Sequence, residues 1–240
     1  MMTAEFPDKA AAREHVWSTL REQRAAAFPF PIHGRIPNFR GAAEAARRLM
    51  DDPRLRRARR VKCNPDSPQR PLRQLLLEAG VEILLPTPRL RGGFRLLDPA
   101  RIPASACAEA AGLAGAERWA ESIAVRDLPR VDLIVTGSVA VTRDGRRCGK
   151  GHGYGDLEYA LLRDLGHPPV PVVTTVHPIQ VLDGFPADAH DLPLHLIATP
   201  QELIEVADPP PSPPGIDWNA LSDADLEAMP ALAELRPDRT

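Results

Sequence analysis

The run Arg147-Cys148-Gly149-Lys150-Gly151-His152-Gly153-Tyr154-Gly155-Asp156 has glycine at four alternate positions, interleaved with cationic side chains. Each glycine costs more backbone entropy on folding than alanine and adds nothing to a core, so the pattern implies close approach to the backbone. A β-rich run precedes it, and an apolar-periodic helix over 157–165 follows. Exposed N–H groups at a helix start attract anions, and Arg147, Lys150 and His152 add positive charge there. The stretch reads as a phosphate cradle, with a glycine-rich structural turn as the plainer alternative. Asp156, one turn into the helix, either holds a divalent cation that bridges phosphate oxygens or complements the helix dipole.

Familiar nucleotide loops do not fit. A Walker A loop needs GxxxxGK[ST], but Asp144 stands five residues before Gly149 and Gly151 follows Lys150. GxGxxG fails because Tyr154 and Asp156 occupy the positions three beyond Gly151 and Gly153. Hydrolase and metal motifs are weaker still. Gly137-Ser138-Val139 is not a nucleophile elbow, no HxxxH pair exists, and His190 and His195 read as loop and strand residues. Cys148 lies beside Arg147, which favours a thiolate, but no general base stands nearby, so a structural role is expected.

The elements that must carry this stretch alternate. Helices are expected over 9–27, 41–50 and 71–79, and the Ala-rich segment 103–117 favours helix up to Gly112. Strands are expected at 61–63, 81–85, 131–141, 170–176 and 194–198, with a tight turn at Asp144-Gly145. That order predicts an α/β domain with a largely parallel sheet. Residues 207–215 (ADPPPSPPG) read as an extended connector, and Ser222 as the cap of a tail helix running to about Leu235. The expected organisation is a domain over 1–206, a Pro-rich linker over 207–215, and a tail over 216–240 that docks back.

Composition sets the bounds. With 240 residues, 43% of them apolar, the chain can bury a sizeable core, and proline, at 27 residues, makes stiff loops. A net charge of −2 gives no global attraction to nucleic acid or anionic lipid. Six cations crowd into 54–62 (Arg54, Arg56, Arg57, Arg59, Arg60, Lys62), either as a solvated turn or as a contact for RNA or another polyanion. Lys9 and Arg13 share a helix face at i, i+4, as a solvated face or as partners of one anion. Three cysteines without a CxxC pair, no apolar leader and no long apolar run lead to the expectation of a cytoplasmic protein without membrane association.

Taken together, these residues resemble the 5-formyltetrahydrofolate cyclo-ligase (methenyltetrahydrofolate synthetase) family, whose loop reads approximately R-x-G-x-G-x-G-Y-Y-D. Arg147, Gly149, Gly151, Gly153, Tyr154 and Asp156 match it, with Gly155 replacing the second Tyr. Lys9-Ala-Ala-Ala-Arg13 resembles the N-terminal K-x-x-L-R, Leu85-Pro86 a strand-end proline, and His190-Asp191 with Thr199-Pro200 the closing segment. FPFPIHGRIPNF, LLPTPRLRGG, DLIVTGSVAV and GKGHGYGDLEYA resemble the domain-containing branch, over roughly residues 9–220.

The resemblance implies a three-layer α/β fold of the NagB/RpiA/CoA-transferase-like type. It also implies an enzyme that uses Mg-ATP to phosphorylate the formyl oxygen of 5-formyltetrahydrofolate or a related formylated heterocycle. N10 then attacks the activated carbon and phosphate leaves. By resemblance Lys9, Arg13 and Arg147 neutralise phosphate, residues 149–155 cradle it with Lys150, and Asp156 and Asp191 bind Mg²⁺. Arg147, Lys150 and Asp66 are the expected catalytic residues. Asp66 stands where the family places Glu, Gln69 where it places Thr, and Leu157 where an Arg often follows. The alternative is a non-catalytic nucleotide- or RNA-binding member; RNA is the less favoured partner.

Overall fold

A computed structural model describes residues 5–233 and 235–236. In chain order the first half holds α1 (Lys9–Glu22), α2 (Ala42–Met50), α3 (Pro53–Arg57), β1 (Arg60–Cys63), α4 (Arg70–Glu78), β2 (Glu82–Pro86), β3 (Phe94–Leu97), α5 (Cys107–Ala110), α6 (Leu113–Trp119) and β4 (Glu121–Ile123). There follow β5 (Leu133–Val135), β6 (Ala140–Thr142), β7 (Arg147–Cys148), α7 (Tyr154–Asp164), β8 (Val172–Thr175), β9 (Val181–Leu182), β10 (Leu196–Ala198), β11 (Leu203–Glu205), α8 (Asp223–Ala228) and α9 (Pro230–Ala233).

Eight strands form one sheet in the order β11-β10-β8-β5-β1-β2-β3-β4. Its centre, from β10 to β2, is parallel, and antiparallel strands close both edges. Period-2 alternation assigns each strand's side chains to opposite faces. Leu133 and Val135 of β5 join Val61 and Cys63 under α2 and α4, whereas Ile134 joins Leu84 and Val172 under α7. The sheet is therefore the middle of three layers, as expected for this fold class.

The expected strand over 131–141 is two strands in different sheets. The chain leaves the large sheet after Val135 and enters a second, three-stranded sheet, β7-β6-β9, at Ala140. Gly137 sits at the crossing. A Cβ built there would lie 2.8 Å from Asp66 Oδ2 and 3.0 Å from Ile36 Cγ1, so any side chain would displace the site's neighbours.

α1 is capped by Asp8, whose Oδ1 accepts from the Ala11 N–H at 2.7 Å, and it buries Ala12, Val16, Trp17 and Leu20. It ends at Glu22, short of the expected 27. Arg24 turns left-handed (φ 53°), and the chain enters a bridge between Ala26 and Phe39. In the Ala-rich segment α5 stops short of Gly112, as expected, and a further helix, α6, starts beyond it; the expected tail helix is broken into α8 and α9 at Pro230. Leu226, Met229 and Leu232 are buried in the same cluster as α7; Glu234 and 237–240 of the expected tail lie outside the described residues.

The cation run 54–62 is dispersed. Arg54 pairs with Asp52 at 2.8 Å and Glu205 at 3.3 Å, Arg56 with Asp51 at 3.0 Å, and Arg60 with Glu82. Lys62, 1% exposed at its side chain, turns to the α7 face of the sheet and pairs with Glu158. Among the described residues no helix is long and apolar enough to cross a membrane.

Three histidines couple the fold to pH. His167, His177 and His195 all have pKa values lowered by burial, which disfavours the charged ring. The unfolded chain then binds more protons than the folded one as pH falls through the ordinary histidine range, so stability is full above about pH 6.5 and is lost below it. Thermal melts between pH 7.5 and 5.5 should show a falling midpoint. A midpoint that is flat or rising would contradict this linkage.

Candidate functional site

Gly151 (φ 102°) and Gly153 (φ 68°) both occupy backbone conformations that L side chains rarely adopt. Gly153 is the residue that starts α7, which begins at Tyr154, three residues before the apolar periodicity does. The loop opens onto a cleft of about 360 Å³, lined on one side by Gly149, Lys150 and residues 152–156 and on the other by Asn64 to Ser67, Pro86 to Arg89 and Leu113. Cleft and loop together form an anion-sized backbone surface at a helix N-terminus.

Arg147 anchors the loop from below. It is buried, its Nη1 donates to the Gly137 carbonyl at 2.9 Å, and its Nη2 donates to Asp156 Oδ1 at 2.5 Å. Burial works against the guanidinium's charge, but the Asp156 carboxylate more than offsets it, and the pKa is raised. The same Asp156 oxygen accepts from the Leu192 N–H at 2.9 Å. Asp191, next in the chain, takes Lys9 Nζ at 2.5 Å, and Lys9 also reaches Asp188 at 2.6 Å. Burial lowers the Lys9 pKa, and the two aspartates outweigh it and raise it.

Arg13 approaches the loop from behind, its Nε donating to the Gly149 carbonyl at 2.7 Å. Its guanidinium lies 3.4–3.6 Å from the point where a Gly151 Cβ would stand. Lys9 is thus held by Asp188 and Asp191, and Arg13 by Gly149; neither they nor Asp191 line the cleft, so the structure puts the two expected phosphate cations behind the loop and not in the cleft. Lys150 Nζ crosses the cleft to Asp66 Oδ1 at 3.1 Å, joining glycine loop to opposite wall. His152 and Tyr154 stack on each other at 5.6 Å and 3° on the cleft wall. Burial pushes the Cys148 thiol up despite Arg13 and Arg147, consistent with a structural side chain. His195 Nδ1 accepts from the Val172 N–H at 3.1 Å, as a strand residue.

Asn64 and Thr136 escaped the sequence, whereas Glu158 reads there only as an acid near the loop. Asn64 and Glu158 line the cleft floor, joined to each other at 3.3 Å and both bonded to buried Lys62. Thr136 also lines it, with a buried hydroxyl that has no hydrogen-bond partner among the described residues. A glycine just beyond a β-branched run, Gly137, was the available signal that backbone and ligand wall meet there.

Among the described residues no three His, Cys, Asp or Glu side chains group as metal ligands. A divalent cation held by one or two carboxylates plus phosphate oxygens needs no such group. Asp156 lines the cleft with its Oδ1 held by Arg147 and the Leu192 N–H, whereas Asp191 lies outside the cleft lining with both carboxylate oxygens on Lys9.

A family model for the 5-formyltetrahydrofolate cyclo-ligase family matches residues 7–200. The chain belongs to this family. Within the cyclo-ligase family it is 40% identical over 242 residues to a methenyltetrahydrofolate synthase domain-containing protein of Mus musculus, and 37% identical over 235 residues to that of Homo sapiens. The alignments take in 98% and 95% of this chain but only 65% and 61% of those proteins, so it spans less than two thirds of their length. The solved 5,10-methenyltetrahydrofolate synthetase of Aquifex aeolicus shares its fold, with a TM-score of 0.53 at 22% identity over 83% of this chain and 93% of that one.

Proposed function

We propose that this cyclo-ligase family chain is a working enzyme, using Mg-ATP to close 5-formyltetrahydrofolate, or a related formylated heterocycle, to its methenyl form. The observation that carries the proposal is the Lys150–Asp66 contact. It sets a phosphate-sized backbone cradle and a carboxylate on opposite walls of one cleft. Phosphate groups lie against the 149–155 backbone, with Arg147 and Lys150 supplying charge and Lys9 and Arg13 supporting the loop from behind. Asp156, on the cleft wall, and Asp191, behind it, would hold Mg²⁺, which would neutralise charge on the phosphate oxygens.

The formyl oxygen attacks the γ-phosphorus and the bond to the β-phosphate oxygen breaks, releasing ADP. N10 then adds to the activated carbon, its proton departs, and the carbon–oxygen bond breaks to release inorganic phosphate. Little covalent chemistry falls to the protein. Its work is to hold donors where charge develops and to fix the two reactants in one orientation. Asp66 orients the heterocycle by accepting its ring N–H groups.

The test is spectrophotometric. Purified protein with Mg-ATP and 5-formyltetrahydrofolate should generate methenyl absorbance. Asp66→Ala should lower that rate by about 10²-fold, in line with lost orientation, while leaving ATP affinity within a few fold. ATP binding without product from any formylated heterocycle would overturn the enzyme assignment in favour of a non-catalytic nucleotide-binding member.

A further inference from the structure

A second cavity, of about 350 Å³, lies between α1 and the 28–40 loop, outside the glycine cleft. Its apolar side is built from Trp17, Phe30, Pro31 and Ile32. Trp17 is fixed, because its indole N–H donates to the Arg35 carbonyl at 3.0 Å and its ring packs 4.4 Å from His33. Phe30 is the opposite case, an aromatic left 61% exposed at the cavity edge.

The charged side is Arg21, Arg24 and Arg40. Two backbone bonds, Arg40 N–H to the Ala25 carbonyl at 2.8 Å and Ala27 N–H to the Asn38 carbonyl at 2.9 Å, bring positions 24 and 40 together. Arg24 holds its place in a left-handed conformation, φ 53°, uncommon for a residue with a side chain. None of the three guanidinium groups has a hydrogen bond or ion pair among the described residues. The lining acid, Glu14, is already engaged by His33 Nε2 at 2.8 Å and by Ser18 at 3.3 Å.

We propose that this cavity is a second ligand site, for a small planar aromatic molecule bearing a phosphate or carboxylate. The ring packs between Trp17 and Phe30, and the anion meets Arg24 and Arg40, with Arg21, which already faces Glu14, beside them. The volume lies at the low end of small-molecule sites and suits one or two fused rings. The site borders the same 28–36 loop as the glycine cleft, which Pro29, Arg35 and Ile36 line, yet it shares none of the cleft's lining residues. It stands whether or not the chain turns over folate.

Isothermal titration of the full chain with 1-naphthyl phosphate tests this, with 1-naphthoate as the carboxylate arm and 1-naphthol as the uncharged one. One or both anions should bind at one site per chain, and 1-naphthol at least tenfold more weakly. Arg24→Glu with Arg40→Glu should weaken anion binding at least tenfold, Phe30→Ala should weaken it several fold, and Lys150→Ala in the glycine cleft should leave it within twofold. Should charge reversal unfold the chain, Arg24→Gln with Arg40→Gln makes the same test. Equal binding of 1-naphthol, indifference to the arginine changes, loss with Lys150→Ala, or no binding would each overturn the proposal. So would self-association that Phe30→Ala disperses, which would assign the face to a second copy of this chain.

Discussion

Replacing Arg147 by Met should lower turnover by about 10²- to 10³-fold and cost about 3 kcal/mol of stability. The side chain is buried beneath the loop, and its two terminal nitrogens serve different partners, the Gly137 carbonyl and Asp156. Methionine fills the volume but leaves the carbonyl without that donor and Asp156 without its cation. Asp156 then keeps only the Leu192 N–H, and α7 loses the tether that fixes its first turn under the cradle. Arg147→Lys should not rescue, because one ammonium cannot reproduce the planar fork that spans both acceptors. Steady-state rates and denaturant unfolding check the two effects separately. A variant with native rates would remove Arg147 from the site.

Lys62→Met should destabilise the fold by about 3–5 kcal/mol, the usual cost of leaving one member of a buried ion pair behind. Lys62 lies in β1, at the centre of the sheet, flanked by Val61 and Cys63 on the opposite face. Its ammonium meets Glu158 and, at 3.1 Å, Asn64 Oδ1. Removing the lysine leaves the buried Glu158 carboxylate on the cleft floor without its cation and with Asn64 Nδ2, at 3.3 Å, as its remaining side-chain partner. Adding Glu158→Met should restore most of the loss, since an apolar pair of similar volume is often neutral there. A double-mutant cycle by urea unfolding gives the coupling directly. Additive losses, with no recovery in the double variant, would show that the pair does not act as a unit.

The layered α/β fold was legible because its signals are local: β-branched runs, helical periodicity, and prolines or glycines at the boundaries. The glycine loop was legible for the same reason, since four alternate glycines have few structural uses. Juxtapositions were harder. That Lys150 faces Asp66 depends on how two loops meet across parallel strands, and nothing within either segment encodes it. Lys62 reads as part of an exposed cationic run, because sequence neighbours cannot reveal which of six cations alternation turns into the core. The run 131–141 reads as one strand because both halves are β-branched; only Gly137 and Ser138 mark the change of sheet. Arg24 and Arg40, sixteen positions apart, are brought together by a bridge too short to announce itself.

The central claim is that one cleft couples phosphoryl transfer to ring closure. Measuring ADP and methenyl product together, with and without 5-formyltetrahydrofolate, tests it most directly. ADP should form only when the folate is present, in one-to-one ratio with methenyl product, and Asp156→Asn should suppress both together. ADP released at the same rate without folate, or methenyl product formed without ADP, would contradict it.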